Sequence, residues 1–425
     1  MARESQLVEK IARALPTGKC GTSRLRLGIG DDAAVLSPAG GTEWVLSCDA
    51  FLEHVHFEAK THPPDSVGYK ALARASSDLA AMGATPRFYL LTLALPAGAA
   101  RTSGFPTSAA LRLAKNSSPL HSHSRTSHSA ARRSFAGQSS LERSSAGRSS
   151  ADRGFVDRSF VDRSLVDRSF VGRGFSHDRT SARGSGAAAT EAPSAGWLNA
   201  FLKGMARASR ELGITIIGGD TTKSDRILIS ITVLGEITPG RALTRSGAHP
   251  GDIIYVSGKL GRAQLGLELV LRGHARNRQL RALVQPHLYP KIRIELGSWL
   301  ARHQIASSSM DLSDGLSSDL ARLCTASKVG AKIYASKVPS VSIPPAAARK
   351  LGQQKLDPLQ LALHGGEDYE LLFTVSPRQA KNPSRAPGAA SLTAIGEITR
   401  NRQLILVHPD GHNEPLESHG WDPFR

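Results

Sequence analysis

The chain has few cysteines, few aromatic residues and no long apolar run. Of its 425 residues only Cys20, Cys48 and Cys324 are cysteines, and no two form a C-x-x-C pair. A disulfide framework is not indicated, and reduced thiols in a cytoplasm are expected. No stretch approaches the roughly 20 consecutive apolar residues that a spanning helix needs. The first seven residues mix charges and lack the apolar core of a signal peptide, so a cytoplasmic protein without a membrane partner is expected. Phosphate-binding glycine motifs are also missing. Gly258-Lys259-Leu260 lacks the Ser/Thr and the upstream glycine of a P-loop, and Gly28-Ile29-Gly30 runs into Asp31-Asp32-Ala33 rather than a dinucleotide fingerprint. Aromatic content of 5% implies that part of the chain is not core.

That part is identifiable. Residues 99–195 are dominated by Ser, Arg, Gly, Ala and His, and residues 139–173 form an array of pentads such as SFVDR and SLVDR. A period of five matches neither the helix nor the strand, so no continuous apolar stripe arises. A disordered insert is expected. It carries 15 Lys/Arg against 7 Asp/Glu, so of the net charge of +18 the remainder keeps +10. A moderate surplus of that kind suits a protein handling polyphosphates, and the insert has neither a Lys/Arg block nor a Tyr/Trp platform for nucleic acid. A nucleic-acid partner is not expected.

Outside the insert the pattern is mixed α/β. Residues 44–47 read as a strand ending at Asp49, 65–82 as a helix closed by Gly83, and 88–95 as a buried strand. After the insert, 197–212 read as a helix, 214–217 as a strand leading into a glycine turn, and 227–235 as a β-branched strand. A second domain is expected from about Arg241, with a strand at 253–257, helices near 261–272 and 291–303, and a strand at 371–375.

Aspartates recur beside glycine or serine: Gly30-Asp31-Asp32, Ser47-Cys48-Asp49, Ser77-Asp78, Gly219-Asp220 and Asp311-Leu312-Ser313-Asp314-Gly315. In α/β proteins such positions lie where loops converge on a ligand. Several carboxylates cannot crowd around an anion unaided. Hard divalent cations, which take oxygen ligands and bridge to phosphate, remove the contradiction. Asp-Gly and Gly-Asp pairs are also ordinary turn residues, and it is their number that favours metal.

The segments Gly28-Ile-Gly-Asp-Asp-Ala-Ala-Val-Leu36, Ser77-Asp-Leu-Ala-Ala-Met-Gly-Ala84, Gly218-Gly-Asp-Thr-Thr222, Gly240-Arg-Ala-Leu-Thr-Arg-Ser-Gly247, Asp311-Leu-Ser-Asp-Gly315 and Gly365-Gly-Glu-Asp-Tyr-Glu-Leu371 resemble the thiamine-monophosphate kinase family, in its order and across nearly the whole chain outside the insert. The resemblance implies an α/β (α+β) fold of two-domain, aminoimidazole-ribonucleotide-synthetase-like architecture. Residues 1–98 and 196–240 would form an ATP- and Mg²⁺-binding domain that dimerises through its sheet, and 241–425 the C-terminal domain. It implies magnesium ligands at Asp32, Ser47, Cys48, Asp49, Asp78, Asp220, Asp311 and Asp314, with Asp220, Asp78 and Asp32 central to catalysis. ATP contacts fall at Gly219, Asp220, Arg245 and Ser313, and thiamine-monophosphate contacts at His56, Glu367 and Trp421. The chemistry implied is ATP- and Mg²⁺-dependent phosphorylation of thiamine monophosphate by a homodimer. A related ATP-using synthetase, or a degenerate protein acting through its basic insert, is the competing expectation.

Two residues depart from the pattern. Cys48 stands where the family has Thr, and a thiol is a poor ligand for Mg²⁺. Ala75 stands where Asn is common just before the Ser77-Asp78 motif, and a looser loop is expected there. On the residues alone, His56 is equally a half-buried strand histidine, Trp421 a core seal, and Arg245 a partner for one of the aspartates.

Overall fold

The computed structural model describes residues 25–28, 31–37, 41–96, 195–352, 356–380, 383, 386–387 and 391–422. The pentad array, Cys20 and nearly all of the expected insert lie outside the described residues. Among the described residues no helix is long and apolar enough to cross a membrane.

Two sheets organise the chain. The first has six strands in the order β1 (Leu25–Leu27), β2 (Ala34–Leu36), β3 (Glu43–Leu52), β6 (Leu228–Ile237), β4 (Thr85–Leu95), β5 (Thr215–Lys223). All pairs are antiparallel except β4 with β5. Alternate residues Val45 and Phe51 on β3 and Ile229, Ile231 and Val233 on β6 point to one face and are buried. Helices α1 (Pro64–Ala81) and α2 (Ala195–Leu212) supply the rest of that core.

Helix α1 begins with Pro64 at its first turn beside Asp65, both favourable at a helix N-terminus, and gives way to Gly83 at φ +75°. It is buried around almost its whole circumference, because small residues let its neighbours approach closely. A Cβ on Gly68 would lie 2.1 Å from the Phe201 carbonyl oxygen of α2, and one on Gly204 would lie 1.8 Å from that of Asp65.

The second sheet has seven strands in the order β13 (Asn413–Pro415), β12 (Leu404–Val407), β9 (Gly330–Tyr334), β11 (Leu392–Thr399), β7 (Ile253–Ser257), β10 (Leu371–Val375), β8 (Ser308–Asp311). Around it lie α3 (Arg262–Leu271), α4 (Arg281–Leu288), α5 (Ile294–Arg302), α6 (Leu316–Ser327), α7 (Pro345–Leu351) and α8 (Pro358–His364). Strand β10 is buried on both faces. Leu371, Phe373 and Val375 join the core of the first sheet together with Leu296 and Leu300 of α5, whereas Leu372 joins the core of the second. One hydrophobic body thus continues past residue 241, although the strands divide near there.

Three local expectations are corrected. Strand β3 does not end at Asp49 but runs through it to Leu52, and β5 continues through Gly218-Gly219-Asp220 instead of turning. Ser77-Asp78 is the last turn of α1 rather than a loop, so Ala75 fills a helix interface at 0% exposure and loosens nothing. In each case pairing or packing overrides a local turn signal.

The α1–α2 contact is testable. Gly204→Val should lower the melting temperature by several degrees, on the order of 1–3 kcal/mol for overpacking a backbone contact. An unchanged melting curve would refute the close approach.

Candidate active site

Along α1, Lys70, Arg74, Ser77 and Asp78 recur at spacings that align them on one side of the helix. Each meets a partner on another element. Lys70 Nζ donates to Glu367 Oε2 at 2.6 Å, Arg74 Nε to Asp49 Oδ2 at 3.3 Å, and Ser77 Oγ to Asp311 Oδ2 at 2.5 Å, while Asp78 accepts from Ser47 Oγ. One helix face therefore joins the first sheet to the ends of β8 and β10 in the second.

At the C-terminal end of this face, carboxylate oxygens of Asp32, Asp78 and Asp311 lie within 4.8 Å of one another. Burial is the leading reason that all three hold protons above the usual carboxylate range, and the neighbouring carboxylates add to it. Asp32 is raised to about 6, Asp311 to about 7, and Asp78 well above its ordinary value. Arg245 donates from Nε to Asp32 Oδ1 at 2.8 Å and from its terminal nitrogen to the same oxygen, and its backbone N–H reaches Asp31 at 3.1 Å. Asp32 Oδ2 is buried without a hydrogen-bond partner among the described residues. Three hard oxygen donors, excess negative charge and an orphaned oxygen fit a divalent cation such as Mg²⁺, which takes carboxylate ligands and keeps positions for water or phosphate.

The remaining expected ligands divide by strand alternation. Ser47 and Asp49 face α1 and flank the cluster, and Asp49 raises the pKa of Asp78. Asp314 is paired with Arg322, which also holds Asp319 at 2.8 Å. Cys48 points to the opposite sheet face, where its sulfur lies 3.3 Å from Thr232 Oγ1 and 3.6 Å from Ser230 Oγ. The Cys48 thiol is therefore not a side-chain ligand of this cluster, and the Thr-to-Cys departure does not touch it.

Asp220 pairs in register with Thr92, and Thr92 with Ser230, which pairs with Ala50. Asp220 thus lies on that outer face too, three strand spacings from β3, about 14 Å. One chain does not bring Asp220 or Gly219 to the other aspartates. Gly219 (φ +147°) also has a structural reason to be glycine, since a Cβ there would lie 1.8 Å from the Leu91 carbonyl oxygen. Arg245 takes the alternative left open by the residues and pairs with an aspartate.

The loops after β8 and before β10 interlock. Glu367 N–H donates to the Ser313 carbonyl at 2.7 Å, and Tyr369 N–H to that of Leu312 at 2.8 Å. Glu367 sits at φ +67°, an uncommon conformation for a residue with a side chain. Burial alone would raise its pKa, but Lys70 and His287 outweigh that and hold it below the ordinary carboxylate range. Lys70 is 2% exposed and also reaches His287 Nδ1 at 3.2 Å, and His287 Nε2 meets His62 Nε2 at 3.0 Å.

His56 Nδ1 accepts from Leu52 N–H at 3.0 Å, and burial lowers the pKa of the ring to about 4. The neutral ring therefore carries its proton on Nε2, free to donate. Trp421 is 48% exposed, and its backbone N–H donates to the Asp314 carbonyl at 3.0 Å. It rims a cavity of about 680 Å³ lined also by Gln264, Asp357, His364, Gly366 and His419. Ser313 follows Asp311 by two residues, and its carbonyl is spent on Glu367 and lies against Gly366 at the cavity wall.

Lys70, Arg74 and His287 escaped the sequence reading. The first two had a signal, being charged residues four and eight positions before Asp78 in an otherwise apolar helix. His287 had none, because its role depends on tertiary packing.

The family model of the N-terminal domain of AIR synthase related proteins matches residues 30–112 and 185–237, and that of the C-terminal domain matches 249–408. The interruption at 113–184 falls inside the expected insert. A thiamine-monophosphate kinase of Synechococcus elongatus is 29% identical over 383 residues, 89% of this chain and 85% of that protein. One from Aquifex aeolicus is 34% identical over 229 residues, 54% of this chain and 69% of that protein. Among solved structures, AaThiL complexed with AMPPCP and TMP aligns with a TM-score of 0.66 at 26% identity, covering 99% of this chain and 96% of that one.

Crowding of the three carboxylates sets a stability trade-off. Between about pH 4 and pH 7 the folded site holds protons that the unfolded chain has released, so metal-free stability falls as pH rises across that window. Asp78→Asn removes one ionisable carboxyl from the crowded cluster and should raise the metal-free melting temperature at pH 7.5 by about 2–4 °C, roughly 1 kcal/mol. The gain should be smaller at pH 5, and added Mg²⁺ should stabilise the wild type but not the variant. Equal magnesium responses would remove Asp78 from the site.

Proposed function

The chain belongs to the thiamine-monophosphate kinase family, and from that premise we propose that it transfers the γ-phosphoryl group of ATP to the phosphate of thiamine monophosphate. The observation that carries this reading is the single polar face of α1, which runs from the carboxylate cluster at Asp78 to the Glu367 contact at Lys70. A charge-dense site that fits magnesium and nucleotide phosphates thus adjoins a second site suited to a flat cationic ring.

A terminal phosphate oxygen of thiamine monophosphate is the nucleophile. It attacks the γ-phosphorus, the bond from that phosphorus to the ADP oxygen breaks, and ADP leaves as thiamine diphosphate forms. Because the second ionisation of such a phosphate lies near ~6, no general base is required. Asp32, Asp78 and Asp311, with Ser47, Asp49 and Asp314 beside them, would hold magnesium, which would supply charge neutralisation for the transferring group. The chain supplies position and fixed charge. Glu367, ionised and aimed by Lys70, balances the thiazolium or accepts from the aminopyrimidine. Trp421 at the rim of the adjoining cavity offers a stacking face. Arg245 neutralises Asp32 and lies where it can turn to a phosphate oxygen, and the resemblance gives Ser313 a further contact to ATP.

In this proposal residues 1–98 and 196–240 hold nucleotide and metal, and 241–425 complete the cleft. A homodimer forms through the outer face of the first sheet, where Leu90 is 39% exposed. The role that resemblance gives to Asp220 belongs to that face, and Gly219 precedes it on the same edge strand.

The reading is tested with purified protein, ATP, Mg²⁺ and thiamine monophosphate. Thiamine diphosphate and ADP should form in equal amounts, and Asp311→Asn should lower kcat at least ~100-fold. Failure of the folded wild type to form thiamine diphosphate would sink the proposal. Leu90→Glu should convert a dimer to a monomer by light scattering, and a monomeric wild type would overturn the proposed interface.

A further inference from the structure

Most cations of the cleft spend a terminal nitrogen on a protein carboxylate. Lys70 holds Glu367, Arg245 holds Asp32, Arg322 holds Asp314 and Asp319, and Arg293 holds Glu370. Arg74 differs. Its side chain is 22% exposed and lies over the Phe51 ring with the guanidinium carbon 5.9 Å from the centroid. Only Nε donates, to Asp49 at 3.3 Å, and neither terminal nitrogen has a hydrogen-bond acceptor among the described residues. A guanidinium has five N–H donors in a planar fork, so the side suited to a bidentate oxyanion is unspent.

Its surroundings fix where that fork lies. Burial disfavours the Arg74 charge, and Tyr369, Asp49, Glu367 and Asp314 more than restore it. Asp49 and Asp314 flank the metal side, and Glu367 and Tyr369 belong to the substrate side. His56 packs against the same Phe51 ring at 5.6 Å, with Nε2–H available to donate. On α1, Arg74 stands one turn from Asp78 and one turn from Lys70. A ligand anion bound there meets the carboxylate cluster on one side and Glu367 on the other.

We propose that Arg74 binds the phosphate of the acceptor substrate through its terminal nitrogens, with His56 Nε2–H as a second donor, and so presents the nucleophilic oxygen to the metal site. This rests on the function proposed above. A purely structural Arg74 that only balances Asp49 would be indifferent to whether the ligand carries a phosphate, and that difference separates the two roles.

The experiment is calorimetric titration of the full chain with Mg²⁺, comparing thiamine monophosphate with thiamine, which lacks the phosphate. Wild type should bind thiamine monophosphate at least ~100-fold more tightly than thiamine, as expected for a charge-assisted bidentate contact. Arg74→Met, which keeps an apolar stem against Phe51, should cut that ratio to under ~10 while leaving thiamine affinity within about threefold. Should the methionine variant not fold, Arg74→Gln carries the same reading, with melting curves reported for both. Arg74→Lys should restore part of the ratio, since it returns the charge without the fork. A ratio unchanged in a folded neutral variant overturns the role of Arg74. A wild type that binds neither ligand would sink the functional proposal instead, and this inference with it.

Discussion

Three carboxylates held within one small volume are the constraint on which the rest depends. Asp32, Asp78 and Asp311 come from a turn, a helix end and a strand end that lie far apart in sequence, and each would be more stably ionised in water. Their proximity is maintained by apolar packing elsewhere: α1 wedged between the two sheets, close glycine contacts with α2, and β10 buried on both faces. Burial that stabilises the fold also disfavours the charges, and Arg245, Ser47 and Ser77 offset only part of that cost. Under the proposed reading, a cation would relieve the crowding and engage the orphaned Asp32 oxygen, so the site is organised for a ligand at the expense of its own stability.

Much of this was legible in the residues. The helix carrying Asp78, the strands at 88–95, 227–235, 253–257 and 371–375, and the change of composition at the insert follow from periodicity. Charge crowding among scattered aspartates pointed to metal chemistry, and three of those aspartates come together in the fold. Facing was harder to read. Ser47, Cys48 and Asp49 are consecutive, and a turn at that point would have let all three converge. A strand running through them sends the middle side chain to the other face. The same alternation removes Asp220 from the cluster, because β5 continues where Gly218-Gly219 signalled a turn. Glycine there answers to close backbone pairing with β4, a demand invisible without the neighbouring strand.

Long-range ion pairs were equally beyond local reading. Lys70 in an apolar helix looks like a solvated surface residue until Glu367 and His287 arrive from the other sheet. Burying a lysine at 2% exposure is costly unless it is paired, and the pairing here crosses between the sheets. Glu367 is held in the left-handed region by the backbone bonds of its loop to Ser313 and Leu312, so its carboxylate is aimed by backbone and lysine together. Strain of this kind persists where surrounding structure over-determines it.

Placing both halves of the site on one face of α1 has a mechanical consequence. Successive turns of a helix rise by about 5.4 Å, so Lys70, Arg74 and Asp78 mark points spaced along a rigid ruler. Loops would let the substrate anchor and the metal cluster drift independently. A helix buried on nearly all sides fixes their separation, and in-line transfer between two phosphates is sensitive to that separation. The extensive burial of α1, unusual for a helix bearing charged residues, is then the structural counterpart of the chemistry. In the proposed reaction, close packing on nearly all sides of the helix lets a handful of side chains take the place of a dedicated phosphate-binding loop.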